Sequence, residues 1–262
     1  MSASTRIEIQ ALGKEMGGRS LLRDVTLAVR QGEICCLVGP NGAGKTTLLH
    51  CLMGLRRRDC GRILINGVSH DDPAIQLQWS QVGFLPQNPQ LYPHLKIREH
   101  LVFVAQIYKG RGSEIDRFVD QELARFGLQP AAESFPETLS RGEYQKAALV
   151  STRVHSPSLL VYDEPDTALD DSSRRLLVQL LTDLVGQGGA ALIATHDLRL
   201  AESLTCRLAI LNRGNILFDG RPQDLRLALH AGGDASLDDL YRQLLEQHQA
   251  GWRKGGGFEP AQ

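Results

Sequence analysis

The stretch Gly39-Pro40-Asn41-Gly42-Ala43-Gly44-Lys45-Thr46-Thr47 limits what this chain can fold into more than any other. It satisfies the pattern G-x-x-x-x-G-K-[ST] in full. The apolar run Glu33 to Val38 precedes it, and Leu48, Leu49, Leu52 and Met53 follow at helical spacing. That order predicts strand, glycine-rich loop and helix, the context in which the pattern binds phosphate. The glycines let backbone N–H groups surround phosphate oxygens without Cβ clashes. A helix starting near Lys45 points its positive end at the same oxygens. Lys45 is expected to reach the β- and γ-phosphates of a nucleotide, and the Thr46 hydroxyl to bind Mg²⁺. A ligand-free strand–helix turn would not need the complete pattern in this context.

Leu159-Leu160-Val161-Tyr162-Asp163-Glu164-Pro165 reads as a buried parallel strand with two carboxylates at its C-terminal end. Ligands of open α/β sheets bind at that end. Asp163 suits Mg²⁺, directly or through water. Glu164 is placed to polarise a water attacking a γ-phosphate, or else merely begins a turn before Pro165. Two adjacent carboxylates in a dry site need a cation or a proton between them. Leu139-Ser140-Arg141-Gly142-Glu143 precedes a helical pattern with Tyr144, Ala147, Ala148, Val150 and Ser151. Ser-x-x-Glu is a capping box, and a helix N-terminus with Ser and Gly is also an anion site.

Together these segments resemble the ATP-binding cassette (ABC) ATPases. The resemblance runs from about residue 7 to 220, with one copy of each motif in family order. Leu139 to Glu143 stands where the family carries L-S-G-G-Q. Ser140 and Gly142 match the positions that touch a γ-phosphate, whereas Arg141 and Glu143 depart from the pattern, which bears on hydrolysis rate and dimer affinity. The resemblance makes His196, in Ala194-Thr195-His196-Asp197, the switch histidine that hydrogen-bonds the γ-phosphate and helps hold Glu164 and the water. It makes Gln87, after the strand Val82 to Leu85, the glutamine that contacts Mg²⁺ or water and senses a transport partner. Asp166 to Asp170 matches the loop that communicates across a dimer. Met16 stands where the family stacks an aromatic ring on adenine, and it is either that contact or plain core. A thioether in that role predicts several-fold weaker nucleotide binding.

The fold expected is α/β: a P-loop NTPase (RecA-like) core with an antiparallel β subdomain and an inserted α-helical subdomain. The cassette is expected over residues 3–230, its core at 3–86 and 157–230 and its helical subdomain at 87–156. Residues 231–262 are expected to form a C-terminal helix, read over 236–249, and a flexible tail from Gly251. Ile7, Ile9, Val25, Leu27 and Val29, then Ile63 and Ile65, alternate as strands do. Leu176, Leu177, Leu180, Leu181 and Leu184 mark a helix from Asp170 to Val185.

At 262 residues the chain is long enough for one large domain with its own core. A net charge of −1 gives no global bias toward nucleic acid or anionic lipid. Arg56-Arg57-Arg58 reads as a solvated helix end rather than a binding patch. Cys35, Cys36, Cys51, Cys60 and Cys206 form no C-x-x-C pair and fit a reducing cytosol. There is no signal peptide pattern and no apolar run near the roughly 18 residues a membrane span needs. A membrane-spanning partner would therefore be another chain.

One copy of the motifs implies a head-to-tail homodimer with ATP held between Lys45 of one copy and Ser140 of the other. The resemblance implies an ATP-hydrolysing subunit at the cytoplasmic face of a membrane, with a separate multi-span permease. The run Leu91 to Leu101, with Tyr92-Pro93-His94-Leu95, and Ser236 to Tyr241 look like drug and natural-product exporters, so export is the expected direction. Leu91, Tyr92 and Leu95 are either an apolar patch for a permease helix or part of the subdomain core. An importer ATPase and a soluble ABC ATPase in assembly or repair remain as alternative readings.

Overall fold

The computed structural model describes residues 4–110, 112–231 and 235–253. The chain runs β1 (Thr5–Met16), β2 (Arg19–Arg30), β3 (Ile34–Val38), α1 (Lys45–Leu52), β4 (Cys60–Ile65), β5 (Val68–Ser69), α2 (Ile75–Gln78) and β6 (Val82–Leu85). It continues through α3 (Ile97–Lys109), α4 (Ser113–Arg125), α5 (Arg141–Ser151), β7 (Leu159–Asp163), α6 (Asp171–Gly186) and β8 (Ala190–Thr195). It closes with α7 (Leu198–Ser203), β9 (Arg207–Asn212), β10 (Asn215–Gly220), α8 (Pro222–Ala228) and α9 (Leu237–Arg253).

The strands form two sheets. One is four-stranded and antiparallel, in the order β2-β1-β4-β5. The other is six-stranded, in the order β10-β9-β3-β8-β7-β6, and parallel throughout except for the β9–β10 pair. The five residues of β3, the five of β7 and the six of β8 are all buried, which is why these strands read as apolar runs, closed by Asp163 in β7 and Thr195 in β8. Successive side chains still point to opposite faces. Cys36 and Val38 join the core formed with α3 to α6, whereas Cys35 and Leu37 join the core beneath the antiparallel sheet and α1. Leu160 and Tyr162 of β7 divide from Leu159 and Val161 in the same way. The Tyr162 phenol meets the Thr152 hydroxyl at 2.7 Å, and burial pushes its pKa up to about 12. The helical segment between β6 and β7 is inserted into the parallel sheet, as expected from the sequence.

Helix α6 turns Leu177, Leu180 and Leu181 into the core, a burial worth about 1.5–3 kcal/mol for each. Asp170 caps its N-terminus by accepting from the Ser173 N–H at 2.7 Å. Helix α9 buries Leu237, Leu240 and Leu244 and packs on α7 and α8. It extends through Arg253, so residues 251–253 are helical rather than the flexible tail expected from Gly251, and the rest of that expectation lies outside the described residues.

Four other expectations are settled here. Arg56 to Arg58 do not end a helix, because α1 stops at Leu52. They lie in the connection to β4, where Arg58 pairs with Asp71. Met16 is not core, being 55% exposed. Leu91 is buried with the helical subdomain, while Tyr92 is 50% exposed, so the expected apolar patch divides. Cys35, Cys36, Cys51 and Cys206 are buried and free, as small-hydrophobe packing requires, and Cys60 is exposed. Among the described residues no helix is long and apolar enough to cross a membrane.

His100 of α3 is buried and its pKa is lowered to about 4 by desolvation. Because the folded value lies below the ordinary 6.5, the unfolded chain takes up the proton first as pH falls. Stability tied to this ring is whole above pH 6.5 and is lost progressively down to about pH 4, by about 3 kcal/mol. Urea denaturation is expected to show wild type losing more stability over that window than His100→Gln. Equal losses would mean the ring does not titrate this way.

Candidate nucleotide site

The C-terminal ends of β3, β7 and β8 lie side by side, since these strands are parallel neighbours. Each delivers one part of the site at the next residue or two: the glycine-rich loop after Val38, Glu164 after Asp163, and His196 after Thr195. The loop's geometry needs its glycines. Gly44 caps α1 at φ 112°, and a Cβ there would meet the Leu21 carbonyl oxygen at 2.9 Å. A Cβ on Gly39 would stand 2.2 Å from the Leu211 carbonyl oxygen, so the loop lies against β9 with no room for a side chain.

Lys45 begins α1 and is buried. Its Nζ donates to the Gly39 C=O at 2.7 Å and lies 3.5 Å from Glu164 Oε1. Glu164 is itself buried, with φ 52°, a conformation that costs a non-glycine residue energy and marks a constrained position. Its N–H donates to the Ala194 C=O at 2.8 Å, tying it to β8. His196 Nδ1 lies 2.7 Å from Glu164 Oε2. A carboxylate only accepts, so Nδ1 carries the proton and Nε2 is left to the solvent side, where the ring is 61% exposed. Lys45, Glu164 and His196 thus form one chain of contacts from the loop to the end of β8.

Asp163 is 1% exposed, and neither carboxylate oxygen has a hydrogen-bond partner. Burial pushes its carboxyl up. The nearby Thr46 hydroxyl and the Lys45 charge pull the other way, and the Glu164 charge adds to the rise. A buried acid with no hydrogen bond of ordinary length on either oxygen, beside a threonine hydroxyl, is a donor set that fits a hard divalent cation. Gln87 is exposed just beyond β6, and among the described residues no hydrogen bond joins it to Asp163. Met16, expected near the adenine, sits at the β1–β2 turn with its sulfur 3.1 Å from the Arg56 guanidinium.

Ser140 and Glu143 form the expected capping box on α5. The Glu143 N–H donates to Ser140 Oγ at 3.3 Å, and Glu143 Oε2 accepts from the Ser140 N–H at 2.9 Å and from its hydroxyl at 2.6 Å. Those donors hold the Glu143 carboxyl below its usual range. Ser140 and Gly142 line a groove of about 280 Å³ with Ala168 and Asp170, away from the Lys45–Glu164 pair. No hydrogen bond or ion pair joins Ser140 to Lys45 or Glu164 among the described residues.

Three contacts were not expected from the sequence. Gln145 of α5 donates to the Pro165 C=O at 3.0 Å, holding the turn after Glu164. Its one signal is a polar residue beside the apolar positions Ala147 and Ala148. Arg174 of α6 pairs with Asp197 at 3.2 Å and Asp166 at 3.6 Å, joining the turn after β7 to the turn after β8. Tyr144 bonds to the loop after β6. Nothing local in the sequence announces the last two.

A phosphate-binding loop on a buried parallel sheet, acids ending the neighbouring strand and an inserted helical subdomain together define a P-loop ATPase of the cassette class. The family model described as ABC transporter matches residues 22–167. The chain belongs to the ABC transporter family, as an ATP-binding subunit with ATPase activity. The glutamine transport ATP-binding protein GlnQ of Escherichia coli (strain K12) is 32% identical over 222 residues, covering 84% of this chain and 92% of that protein. The aliphatic sulfonates import ATP-binding protein SsuB 2 of Burkholderia lata is 35% identical over 254 residues, 94% of this chain and 90% of that protein. A solved structure described as an ATP binding subunit of an ABC transporter superposes with a TM-score of 0.85 at 33% identity, covering 91% of this chain and 99% of that one. Names for glutamine transport and sulfonate import give the exporter expectation no support.

Proposed function

We propose that this chain hydrolyses ATP to drive an importer, as a homodimer seated on a separate multi-span permease at the cytoplasmic face of the membrane. The observation that carries the catalytic part is the contact chain Lys45–Glu164–His196 beside the orphaned Asp163. The import direction is argued from relatives named for import and from nothing in the site itself.

Residues Gly39 to Thr47 would cradle the phosphates with backbone N–H groups, and Lys45 would exchange its Gly39 contact for the β- and γ-phosphate oxygens. Asp163 and Thr46, with Gln87 moving in, would hold Mg²⁺, which supplies charge neutralisation at the phosphate oxygens. Glu164 orients the attacking water and takes its proton; His196 holds Glu164 in place through Nδ1. For His196 also to donate to the γ-phosphate through Nε2, the ring must carry both protons. Met16 would lie against the base. Ser140 and Gly142 would act on the nucleotide of a second copy, since one chain keeps them apart from Lys45. The Ser140 hydroxyl must then release Glu143 to reach a phosphate. Two γ-phosphates bridging two copies have to supply about 5.5 kcal/mol of differential binding to swing the pair from mostly open to mostly closed.

The domain division proposed is a cassette core at 3–86 and 157–230 around a helical subdomain at 87–156, followed by the C-terminal segment 231–262. A groove of about 340 Å³ between core and subdomain is lined by Trp79, Phe84, Val104, Tyr108 and His155. Exposed Tyr92, Phe103 and Ile107 lie on the same subdomain, giving an apolar face for a permease helix.

The test is affinity capture of the tagged chain from detergent-solubilised membranes, followed by reconstitution of the captured permease in vesicles. The reading expects solute to accumulate on the side where the ATPase and ATP reside. Movement away from that side would replace import by export, and recovery of soluble partners alone would remove the permease.

A further inference from the structure

The loop after β6 leads from Gln87 to the exposed ring of Tyr92, and three of its backbone polar groups are anchored in one direction. The Leu91 N–H donates to Tyr144 Oη at 3.0 Å, and that hydroxyl donates onward to the Pro89 C=O at 3.2 Å. The Tyr92 N–H donates to His100 Nδ1 at 3.3 Å. Because Nδ1 accepts, the ring proton sits on Nε2, which donates to Ser151 Oγ at 2.9 Å. Burial keeps this imidazole neutral at physiological pH and so able to accept. Tyr144 lies in the first turn of α5 and Ser151 is its last residue. Three backbone groups of one surface loop therefore end, directly or through His100, on the helix whose N-terminus carries Ser140.

Surface loops commonly satisfy their backbone with water. Here two of the groups end on Tyr144 of α5 and the third reaches Ser151 of α5 through His100 of α3, and Leu91 adds burial in the same core as Ala147 and Ala148. Resting on the proposed role of Ser140 toward a second copy's nucleotide, we infer that Tyr144 is a positioning residue: its hydroxyl makes the loop 89–92 and helix α5 move as one body. A push on the Tyr92 face then shifts Ser140, and engagement of Ser140 by nucleotide shifts the Tyr92 face, because such coupling is reciprocal. Tyr144 touches neither phosphate nor water in this scheme. It acts through the loop and through Ser140.

The experiment is hydrogen exchange on the full chain, with and without Mg²⁺ and a non-hydrolysable ATP analogue, in wild type and in Tyr144→Phe. The variant keeps the ring and its packing and removes only the hydroxyl. In wild type the analogue is expected to slow exchange at the start of α5 and at residues 89–92 together. In Tyr144→Phe the Leu91 amide is expected to exchange about tenfold faster, as for a lost hydrogen bond. The start of α5 should still respond to the analogue while 89–92 no longer does. Ser151→Ala, which cuts the link from His100 to α5, is expected to uncouple the Tyr92 amide from α5 in the same way and serves if Tyr144→Phe misfolds. A loop response in both variants equal to that of wild type overturns the inference. So does a wild-type loop that stays silent while α5 responds. If neither segment responds in wild type, the nucleotide sandwich itself fails and takes the inference with it.

Discussion

Glu164→Gln is expected to cut ATP turnover by about 10²–10⁴-fold while leaving nucleotide binding intact, the usual consequence of losing a general base. The amide is nearly the same shape and still offers an oxygen to His196 Nδ1, now 2.7 Å from the carboxylate. It sits in the same left-handed backbone position, so it inherits the geometry and loses only the charge and the basicity. Loss of the charge frees Lys45, which lies 3.5 Å from Glu164 Oε1, to pair with phosphate alone. Affinity for ATP should therefore be unchanged or rise. Single-turnover hydrolysis and equilibrium nucleotide binding, measured on the same preparation, separate the two effects. Turnover within about threefold of wild type would show that another group accepts the proton. A parallel loss of binding would mean that Glu164 holds the site together rather than acting on water.

The parts of this arrangement legible in the sequence are those that depend on neighbours along the chain. The glycine-rich loop, the capping box at Ser140 and the largely apolar strands β3, β7 and β8 each announce themselves within a few residues, because the physics is local: positive φ, orphan helix N–H groups, burial on both faces. What the sequence did not disclose depends on approach through space. The Lys45–Glu164 contact joins the ends of two strands that are not sheet neighbours, since β8 lies between them, and nothing in the sequence announces it. Arg174 reads as an ordinary charged helix residue, yet it bridges two loops. Leu91 and Tyr92 are adjacent and apolar, and only tertiary packing decides that one is core and the other surface. The basic run at Arg56 was assigned to a helix that in fact stops at Leu52, where Met53 and Gly54 leave helical geometry, the latter at φ 70°. The export expectation finds no support among the relatives for a different reason: the motifs that carry the chemistry say nothing of direction, and the short resemblance around Tyr92 is too slight to set it.

Asp163→Asn is expected to move stability and activity in opposite directions. The wild-type carboxylate is 1% exposed and has no hydrogen-bond partner on either oxygen, so carrying its charge there is costly. Its folded pKa is raised by burial, which means the folded state prefers the proton more than the unfolded chain does. The sign follows: the penalty is absent below the ordinary value of 3.8, grows as pH rises through the folded pKa, and is complete above it. Near pH 7 and with EDTA present, the neutral amide should therefore be the more stable form, by about 1–3 kcal/mol. At pH 3.5 the gain should shrink toward zero. Activity should go the other way, because the same carboxylate is the proposed anchor for Mg²⁺ with Thr46. ATP turnover in Asp163→Asn should fall by at least about 10²-fold, and the thermal stabilisation that Mg²⁺ with ATP gives wild type should largely disappear. Urea denaturation in EDTA at the two pH values, with turnover at saturating Mg²⁺, tests both signs. A variant that is less stable at pH 7 yet still hydrolyses ATP would mean that Asp163 is partnered in solution and serves the fold rather than the metal.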